Sequence, residues 1–479
     1  MAAVKAARLL SRRAHVLPGQ LHVTELFFEV PKNHARPEAG TLTLFGRSVR
    51  KHERPIVPLS AADLASKEKL PYLVYLEGGP GFGNREPQNH ALTQVALSRG
   101  YQVLYLDYRG TGLSTPVNAD SVVAQGGAQK QADYLKLFRA TSIVRDLEAV
   151  RLCLTEDFDE DKKTWSIFGQ SFGGFVGLTY LSKYPKGLRE AFLTGGLAPV
   201  KRTADEVYTA TYKKLTERNA AYYKKYPEDI PAVRRLTDYI HWLHLEGTGI
   251  PLPSGGNLTV PLFLTLGLAF GGHGGLDEVH SLILRLATDL GQFRKFTRAS
   301  LAAFESHISF DTHPIYAILH EAIYNTKQKG APASDWAAYR VGRALKPFAW
   351  LDDAPAFLQS TPATDPLYFS GEMVYPFHFD GTTGPELARL KEAADILAAT
   401  DEWDEDLYDE AQLRRNNVPV YAVSYVDDMY VDFELARETA ALVRGIKVRE
   451  TNGWYHDAVR SKSEEVFAAL FKLRDDCVD

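Results

Sequence analysis

The 479-residue sequence has few cysteines, no long apolar run and no excess of positive charge. Its two cysteines, Cys153 and Cys477, lie far apart in the chain, so they predict neither a disulfide framework nor a zinc site, and we expect a reducing, cytoplasmic location. No apolar run approaches the roughly 18 residues that a transmembrane helix needs, so no membrane association is expected. A formal net charge of -5, without a basic tract rich in aromatics, argues against nucleic acid as a partner.

The composition is that of an ordinary globular protein, with 45% hydrophobic and 24% charged residues. The length allows one large fold with an insertion, or about two to four domains of average size. The N-terminal stretch MAAVKAARLLSRRAHVLPG carries Lys and Arg residues before the first acidic residue, Glu25. We interpret it as a short basic tail that leads into the first strand; a weak organelle transit peptide is the alternative.

Strand patterns alternate with helix patterns through residues 1–199. LHVTELFFEV and GTLTLFGRSV predict an opening antiparallel hairpin, and the apolar runs in PYLVYLEGG, GYQVLYLDY, TWSIFGQ and REAFLTGG predict buried strands. The segment ATSIVRDLEAVRLCL has apolar residues at helical spacing. Buried strands that alternate with helices are typical of a parallel sheet covered on both faces.

The pattern changes between residues 200 and 415. This part is mainly helical and contains a glycine-rich interruption, PLPSGGNLTVPLFLTLGLAFGGHGG. The strand pattern resumes in NNVPVYAVSYVDDMYV and IKVRETNGWYHDAV, and the chain closes with an amphipathic helix. We therefore predict one α/β domain, residues 1–199 and 416–479, interrupted by a mostly helical cap domain of residues 200–415.

The segment GQSFGG contains the pattern G-x-S-x-G around Ser171. A predicted strand precedes the serine and a predicted helix follows it, with small residues on both sides. This context is typical of a nucleophile elbow, in which a serine lies on a strained strand-to-helix turn. A short polar turn without catalytic function is the alternative interpretation of the bare pattern.

A second glycine-rich segment, EGGPGFG, follows an early predicted strand. In hydrolases with a nucleophile elbow, one oxyanion donor is the backbone N–H of the residue after the serine, and another comes from such an early loop. These donors would be Phe172 and the amides of Gly78 and Gly79. The alternative is a plain glycine turn between strand and helix.

A nucleophilic serine needs a base, and the base needs an acid that orients it. His456 follows the last predicted strand, in the turn NGWYHDAV, and is the candidate base. The acid should follow the preceding strand, where VDDMYVD offers Asp427 and Asp428; we favour Asp428. The chain order Ser171, Asp428, His456 is that of the α/β-hydrolase fold.

These motifs resemble those of the proline iminopeptidases, in particular their longer form. The resemblance rests on GGPGFG, LDYRGTGLSTP, SIVRDLEAVR, FGQSFGGFVGLTYLS, FLTGGLAPV, PIYAILHEAIY, SGEMVYPF, VDDMYVD and TNGWYHDAVR, which extend from the first quarter of the chain to its end. It implies a serine aminopeptidase that releases N-terminal proline from small peptides, without a metal or another cofactor. The oligomeric state, monomer or homo-oligomer, stays open.

The resemblance also implies acidic cap residues that bind the free amino group of the substrate. By motif these are Glu321 in LHEAIY and Glu372 in SGEM. A partly desolvated carboxylate attracts a cationic amine; the alternatives are a solvated helix residue for Glu321 and a helix cap or ion pair for Glu372. The aromatic residues nearby could wall a proline-sized pocket or belong to the core: Tyr324, Phe369, Tyr375 and Phe377.

Two residues near the predicted site need their own interpretation. Glu77 stands where the family usually has His or Gln, and its carboxylate would oppose a developing negative charge unless it points away or is paired. Arg109 in DYRGTGLS is interpreted as fixing a loop. Two other functions also fit the sequence: another serine hydrolase on the same fold (an esterase, amidase or dipeptidase), and a non-catalytic binding protein.

Overall fold

A nine-stranded sheet forms the centre of the computed structural model, with strand order β1-β2-β3-β5-β4-β6-β7-β8-β9. The structure describes residues 4–53, 60, 69–308, 310–326, 332–381 and 384–476. The strands are β1 (Arg8–Leu17), β2 (Leu21–Pro31), β3 (Thr41–Lys51), β4 (Tyr72–Leu76), β5 (Gln102–Leu106), β6 (Trp165–Gln170), β7 (Leu188–Thr194), β8 (Val420–Tyr425) and β9 (Ile446–Thr451).

The sheet has an antiparallel part and a parallel part. Strands β1, β2, β3 and β5 pair antiparallel, whereas β5, β4, β6, β7, β8 and β9 pair parallel in that order. Every residue of β4, β5, β6 and β8 is buried. This burial on both faces explains their continuous apolar runs and confirms the parallel sheet that the sequence predicts.

The predicted basic tail is wrong for residues 8–17, because they form strand β1 and pair with β2 from Arg8 to Leu17. The predicted opening hairpin is therefore a three-stranded antiparallel meander. Most of β1 is exposed, as expected for a strand at the edge of a sheet. An edge strand tolerates Arg and His at most positions, so the alternating apolar pattern that identifies strands is missing here.

Nineteen α-helices surround the sheet or lie in the insertion, counted over the described residues. They are α1 (Leu92–Ser98), α2 (Ala119–Val123), α3 (Ala128–Leu135), α4 (Ala140–Leu154), α5 (Phe172–Lys183), α6 (Ala204–Lys225), α7 (Asp229–Leu245), α8 (Val260–Phe263), α9 (Gly275–Phe293), α10 (Arg298–Ile308), α11 (Pro314–Leu319), α12 (Ala337–Arg343), α13 (Ala354–Ser360), α14 (Pro385–Ala388), α15 (Lys391–Ala398), α16 (Glu410–Arg414), α17 (Phe433–Leu442), α18 (Ala458–Ser461) and α19 (Ser463–Asp475). Helix α4 has the bounds that its apolar spacing predicts.

The sheet is covered by a hydrophobic cluster on each face. Helices α3, α4 and α5 contribute to one cluster, and helices α1 and α19 contribute to the other. Burial of this apolar surface is the main favourable contribution to folding. The carboxyl ends of β6, β8 and β9 share one edge of the sheet, which brings the loops after these strands together.

The predicted insertion has a hydrophobic cluster of its own, built from α6, α7, α9 and the segments around them. Residues of α11, α14, α15 and α16 instead join the cluster of the sheet. The C-terminal part of the insertion is thus packed on the α/β core rather than held apart from it. The exact division at residues 199/200 and 415/416 stays a prediction.

Candidate active site

Ser171 lies between the end of β6 and the start of α5, with φ 54° and ψ -123°. A positive φ is strained for any residue with a side chain, and such strain often marks a functional position. The Ser171 N–H donates to the Thr194 carbonyl oxygen at 3.1 Å, which ties the turn to the end of β7. The backbone conformation is that of a nucleophile elbow.

Glycines next to Ser171 allow the strand and the helix to approach closely. A Cβ at Gly173 would lie 1.9 Å from the Leu76 carbonyl oxygen. A Cβ at Gly169 would lie 2.4 Å from the Gly173 oxygen. No side chain fits at either position, so the glycines of G-x-S-x-G are required by packing.

The structure brings Ser171, His456 and Asp428 together, although 285 positions separate the serine from the histidine. His456 Nε2 lies 2.8 Å from Ser171 Oγ. His456 Nδ1 lies 2.8 Å and 3.0 Å from the two carboxylate oxygens of Asp428. All three residues lie on loops at the carboxyl edge of the parallel strands.

Asp428, and not Asp427, is the acid beside His456. Asp428 is buried, and its Oδ1 also accepts hydrogen bonds from the backbone N–H groups of Tyr430 at 2.8 Å and Val431 at 3.0 Å. These donors hold the carboxylate in place. The Asp427 side chain is 42% exposed and lies 3.4 Å from Lys214 Nζ.

The protonation of His456 follows from its two partners. Nδ1 faces a carboxylate, so it carries the proton and donates, which leaves Nε2 free to accept a proton from the Ser171 hydroxyl. Burial alone would lower the pKa of His456, but Asp428, through its charge and hydrogen bond, and Glu372 raise it above the ordinary value. The imidazole is thus a strengthened base in contact with the serine.

The predicted oxyanion donors differ in their availability. Phe172 is the first residue of α5, so its N–H has no acceptor within the helix. The Gly78 N–H donates instead to Glu77 Oε1 at 2.9 Å, so Gly78 is not a free donor in this conformation. Gly78 serves close packing: a Cβ there would lie 3.2 Å from Ser171 Cβ. Gly79 and Phe172 are the candidate donors that remain.

The Glu77 carboxylate is buried and paired. Besides accepting from Gly78, its Oε1 lies 3.3 Å from Arg460 Nη2. The positive charge of Arg460 opposes the repulsion that an isolated carboxylate would exert on an oxyanion. Of the arrangements that the sequence allows for Glu77, the structure shows the paired one.

Glu372 lies in the insertion and interacts electrostatically with His456. The Tyr316 hydroxyl donates to Glu372 Oε1 at 2.9 Å, and His320 Nε2 lies 3.7 Å from Oε2. Burial alone would raise the pKa of Glu372, but His320, His456 and Tyr316 together hold it below the ordinary value. Glu372 is therefore a partly buried negative charge within electrostatic reach of His456.

Glu321 is in a different environment. It begins the 3₁₀ helix Glu321–Tyr324, and its Oε2 accepts from the Ala338 N–H at 3.2 Å. Its Oε1 is buried and has no hydrogen-bond partner among the described residues. Burial raises the pKa of Glu321 above the ordinary value. A buried polar atom without a partner is unfavourable, and a bound donor would satisfy it.

The aromatic residues near these carboxylates separate into core and boundary positions. Phe369 and Tyr375 are fully buried within the cluster of the insertion, and the Tyr375 hydroxyl lies 3.0 Å from that of Tyr212. Of the two roles that the sequence leaves open for them, the structure shows core packing. Tyr324 lies at the boundary, with its ring centroid 6.2 Å from Phe175 of α5. Phe377 stacks on Tyr375.

Sequence reasoning missed the two residues that surround Glu372. Tyr316 and His320 are both buried, and their rings contact each other at 4.9 Å between centroids. Their signal was present: Tyr316, His320 and Tyr324 are spaced four residues apart in PIYAILHEAIY, which places them on one helix face. Helical spacing alone does not distinguish such a face from an ordinary core face.

A small apolar cavity adjoins Phe172, the residue after the candidate nucleophile. It lies between the core and the insertion, and the residues that line it include Pro80, Phe138, Phe172, Phe175, Leu319 and Ile323. Phe172 and Phe175 come from the elbow helix, whereas Leu319 and Ile323 come from the insertion on either side of Glu321. The cavity volume of about 10 Å³ admits a single water molecule, so these apolar side chains mark a contact surface beside Phe172 and not an open pocket.

Arg109 has the loop-fixing position that the sequence predicts. Its Nε and Nη2 donate to both carboxylate oxygens of Asp146 at 2.7 Å and 2.6 Å. Its Nη1 also donates to the carbonyl oxygens of Lys32 and Leu137, each at 2.9 Å. Such a fully bonded, buried guanidinium is a structural anchor.

The part of the chain that the structure describes also bears on metal binding and membrane spans. There, no group of three or more His, Cys, Asp or Glu side chains could hold a metal ion. In the same residues, no helix combines the length and apolarity needed to cross a bilayer.

The strand order, the strained serine and the Ser–Asp–His order define an α/β hydrolase, so the predicted fold class is confirmed. The family profile described as "alpha/beta hydrolase fold" matches residues 71–232. The chain is 38% identical over 473 residues to proline iminopeptidase aneH of Aspergillus aculeatus, covering 99% of this chain and 98% of that protein. It is also 38% identical over 470 residues to the proline iminopeptidase of Aeromonas sobria, covering 98% and 100%.

The chain therefore belongs to the proline iminopeptidase family, and the predicted resemblance is confirmed. Among solved structures, the crystal structure of proline iminopeptidase from Mycobacterium smegmatis is 13% identical, with a TM-score of 0.40, covering 97% of this chain and 98% of that one. The likeness to the curated relatives extends over the whole chain, including the insertion. The chain is thus an enzyme of the serine-hydrolase type.

Proposed function

We propose that this protein is a serine aminopeptidase that releases N-terminal proline from small peptides through an acyl-enzyme at Ser171. The observation that carries the proposal is the partly buried carboxylate of Glu372, which accepts from the Tyr316 hydroxyl at 2.9 Å and lies within electrostatic reach of His456. A carboxylate at this place attracts a cation next to the bond that Ser171 attacks. The free amino group of the first residue is the cation that a peptide offers there.

The first half of the reaction forms a prolyl ester. Ser171 Oγ attacks the carbonyl carbon of the N-terminal proline while His456 Nε2 takes the hydroxyl proton, and Asp428 stabilises the imidazolium. The N–H groups of Phe172 and Gly79 are the proposed donors to the oxyanion. When the C–N bond breaks, His456 gives its proton to the leaving amine, and the shortened peptide departs.

The second half returns the enzyme to its starting state. A water molecule attacks the ester carbon, and His456 Nε2 takes one proton from the water. The ester bond to Ser171 breaks, and the serine oxygen recovers that proton from His456. Proline leaves, so the overall reaction consumes one water for each peptide bond cleaved.

The proposed substrate pocket combines a carboxylate side and an apolar side. Glu372 would bind the cationic amine. Glu321 is the second proposed carboxylate, and its Oε1 is a buried acceptor without a partner among the described residues. The apolar side chains beside Phe172 would contact the pyrrolidine ring, which needs more space than the small cavity between them provides in this conformation. A peptide with a blocked N-terminus would bury Glu372 without a cation, which is unfavourable.

The test is a panel of aminoacyl-arylamides, with wild type and Ser171→Ala. We expect Pro-arylamide to be cleaved much faster than its N-acetyl counterpart, and Ser171→Ala to abolish turnover. Equal or reversed rates for the free and acetylated substrates would contradict amine recognition and favour a general esterase or amidase. Turnover that survives Ser171→Ala would show that the nucleophile is wrong.

A further inference from the structure

The glycine-rich part of the insertion lies against the loops that carry the proposed base and its acid. Its residues 268–273, here called the cap segment, contact both loops. The His456 N–H donates to the Gly271 carbonyl oxygen at 3.2 Å, and the Tyr430 hydroxyl donates to the Leu268 carbonyl oxygen. Tyr430 also packs edge-on against the His456 ring at 4.7 Å. The cap segment thus contacts the proposed base directly and the loop of Asp428 through Tyr430.

The glycine at position 271 is required by this contact. A Cβ at Gly271 would lie 2.3 Å from Cζ of the Tyr430 ring. Arg218 of α6 supports the same arrangement, because its Nη2 donates to the Phe270 oxygen at 2.9 Å and its Nη1 to the Tyr455 hydroxyl at 3.3 Å. The close approach explains part of the glycine-rich motif, to which the proposed reaction assigns no role.

His273 makes the polar contacts at the end of the cap segment. Its backbone N–H donates to Asp457 Oδ1 at 2.9 Å, and its Nδ1 lies 2.5 Å from the same oxygen. The Tyr455 N–H donates to His273 Nε2 at 3.4 Å, and Ser461 Oγ lies 2.9 Å from Nδ1. One imidazole therefore bonds the residues on both sides of His456.

These contacts define the tautomer of His273. A backbone N–H can only donate, so Nε2 must accept from Tyr455 and carries no proton. The ring proton is then on Nδ1, where it is donated to the Asp457 carboxylate. A neutral imidazole in this tautomer satisfies both partners at once.

We propose that His273 is a positioning residue for catalysis, which holds loop 455–457 so that His456 Nε2 stays within hydrogen-bond distance of Ser171. The inference rests on the proposed function of His456 as the base. The backbone N–H groups of Tyr455 and His456 and the carboxylate of Asp457 are all bonded to the cap segment. Such restraint matters because a displacement of about 1 Å in a reacting group can cost roughly 100-fold in rate.

The effect of His273 should fall on kcat rather than on KM. Its side-chain contacts run to Tyr455, Asp457 and Ser461, whereas the amine is proposed to bind at Glu372, whose partners are Tyr316 and His320. Loss of His273 would loosen the base while leaving the amine site intact.

The test compares His273→Ala and His273→Asn with a matched control, His280→Ala. His280 is also a cap histidine whose Nδ1 faces a carboxylate, that of Asp229 at 2.9 Å, and its side chain is 21% exposed against 20% for His273. We expect His273→Ala to lower kcat by about tenfold or more with KM within about twofold. His273→Asn should recover most of kcat, because its amide nitrogen can donate to Asp457.

The control variant separates positioning from general stability. His280→Ala should lower Tm through the loss of the buried Asp229 contact and leave kcat unchanged. The double variant His273→Ala/Asp457→Ala should lose little more kcat than the stronger single variant, since both changes remove the same contact. An unchanged kcat in His273→Ala, a loss confined to KM, or equal kcat losses in the two alanine variants would overturn the proposal.

A second readout keeps this inference distinct from the proposed function. The rate at which a fluorophosphonate labels Ser171 depends on His456 as base but requires no proline. We expect His273→Ala to slow labelling by a factor similar to its loss of kcat, and His280→Ala to leave it unchanged. If no arylamide were cleaved, the proposed specificity would fail, and the labelling rates would still decide the role of His273.

Discussion

Replacing Glu372 with glutamine removes one partly buried negative charge and little else. Glutamine has nearly the same shape, and its side-chain oxygen can still accept from the Tyr316 hydroxyl, which lies 2.9 Å from the carboxylate. The Glu372 side chain is only 17% exposed, so water screens its charge weakly. The variant removes the attraction between this carboxylate and the cationic amine of the substrate. It also removes the contribution of Glu372 to the pKa of His456, so rates are compared at a pH where His456 is neutral in both proteins.

The size of the effect follows from hydrogen bonds to charged groups. Such a bond contributes about 1.5–3 kcal/mol net. Since about 1.4 kcal/mol corresponds to a factor of ten, kcat/KM for Pro-arylamide should fall by about 12- to 140-fold in Glu372→Gln.

The assay compares two substrates of the same shape. Pro-arylamide carries the amine, and cyclopentanecarbonyl-arylamide replaces the ring nitrogen with carbon. Glu372→Gln should lose activity on Pro-arylamide, because the carboxylate that attracts the amine is gone. It should lose none on the cyclopentanecarbonyl substrate, because the variant no longer places an unpaired carboxylate against an apolar ring. Equal losses on both substrates would refute amine recognition by Glu372.

A matched carboxylate controls for general damage. Glu405 is also partly buried, at 29% side-chain exposure, and is paired with Arg145 at 2.6 Å. Glu405→Gln should lower Tm and leave the preference for the amine-bearing substrate unchanged. A change of that preference in Glu405→Gln would show that the preference reflects overall cap packing.

The remaining predictions concern the triad and the elbow. Asp428→Asn should lower kcat by roughly 10³- to 10⁴-fold in steady-state assays, whereas Asp427→Asn, at the exposed neighbour, should stay within about twofold. His456 must be neutral to accept a proton from Ser171. Burial alone would lower the pKa of His456, but Asp428 and Glu372 raise it. The acid limb of kcat/KM should therefore lie above pH about 6.5 and move to lower pH in Asp428→Asn. A limb below the ordinary histidine value would contradict this. In denaturant unfolding, Gly173→Ala should destabilise the protein by about 3 kcal/mol or more, since the new Cβ would lie 1.9 Å from a backbone oxygen. Gly291→Ala, where a Cβ would meet nothing within 4 Å, should stabilise the protein by about 0.5–1 kcal/mol. Similar unfolding free energies for both glycine variants would contradict the packing argument.

The elbow was predictable from sequence because its causes are local. A strand, a strained serine and close-packed glycines occupy consecutive positions, so the pattern around Ser171 reports the geometry directly. The loops of Asp428 and His456 were predictable because each follows a strand of the same parallel sheet. Residues that follow neighbouring parallel strands lie close together in space, and this can be predicted without knowing how their side chains pack.

Features that depend on packing between distant segments could not be predicted in this way. The Gly78 N–H is occupied by Glu77, and Arg460, 383 positions away, completes that contact. Strand β1 lacks the apolar alternation of a buried strand because it lies at the sheet edge. The roles of Tyr316 and His320 emerge only when Glu372 is brought against their helix.

The most direct test of the account is to identify the covalent intermediate during turnover. Enzyme mixed with excess Pro-arylamide, quenched in acid within the first turnover and digested, should yield the peptide containing Ser171 with the added mass of one prolyl residue. The same adduct should be absent with N-acetyl-Pro-arylamide and in Ser171→Ala. Proline release without a prolyl adduct at Ser171, or with the adduct on another residue, would contradict the central claim.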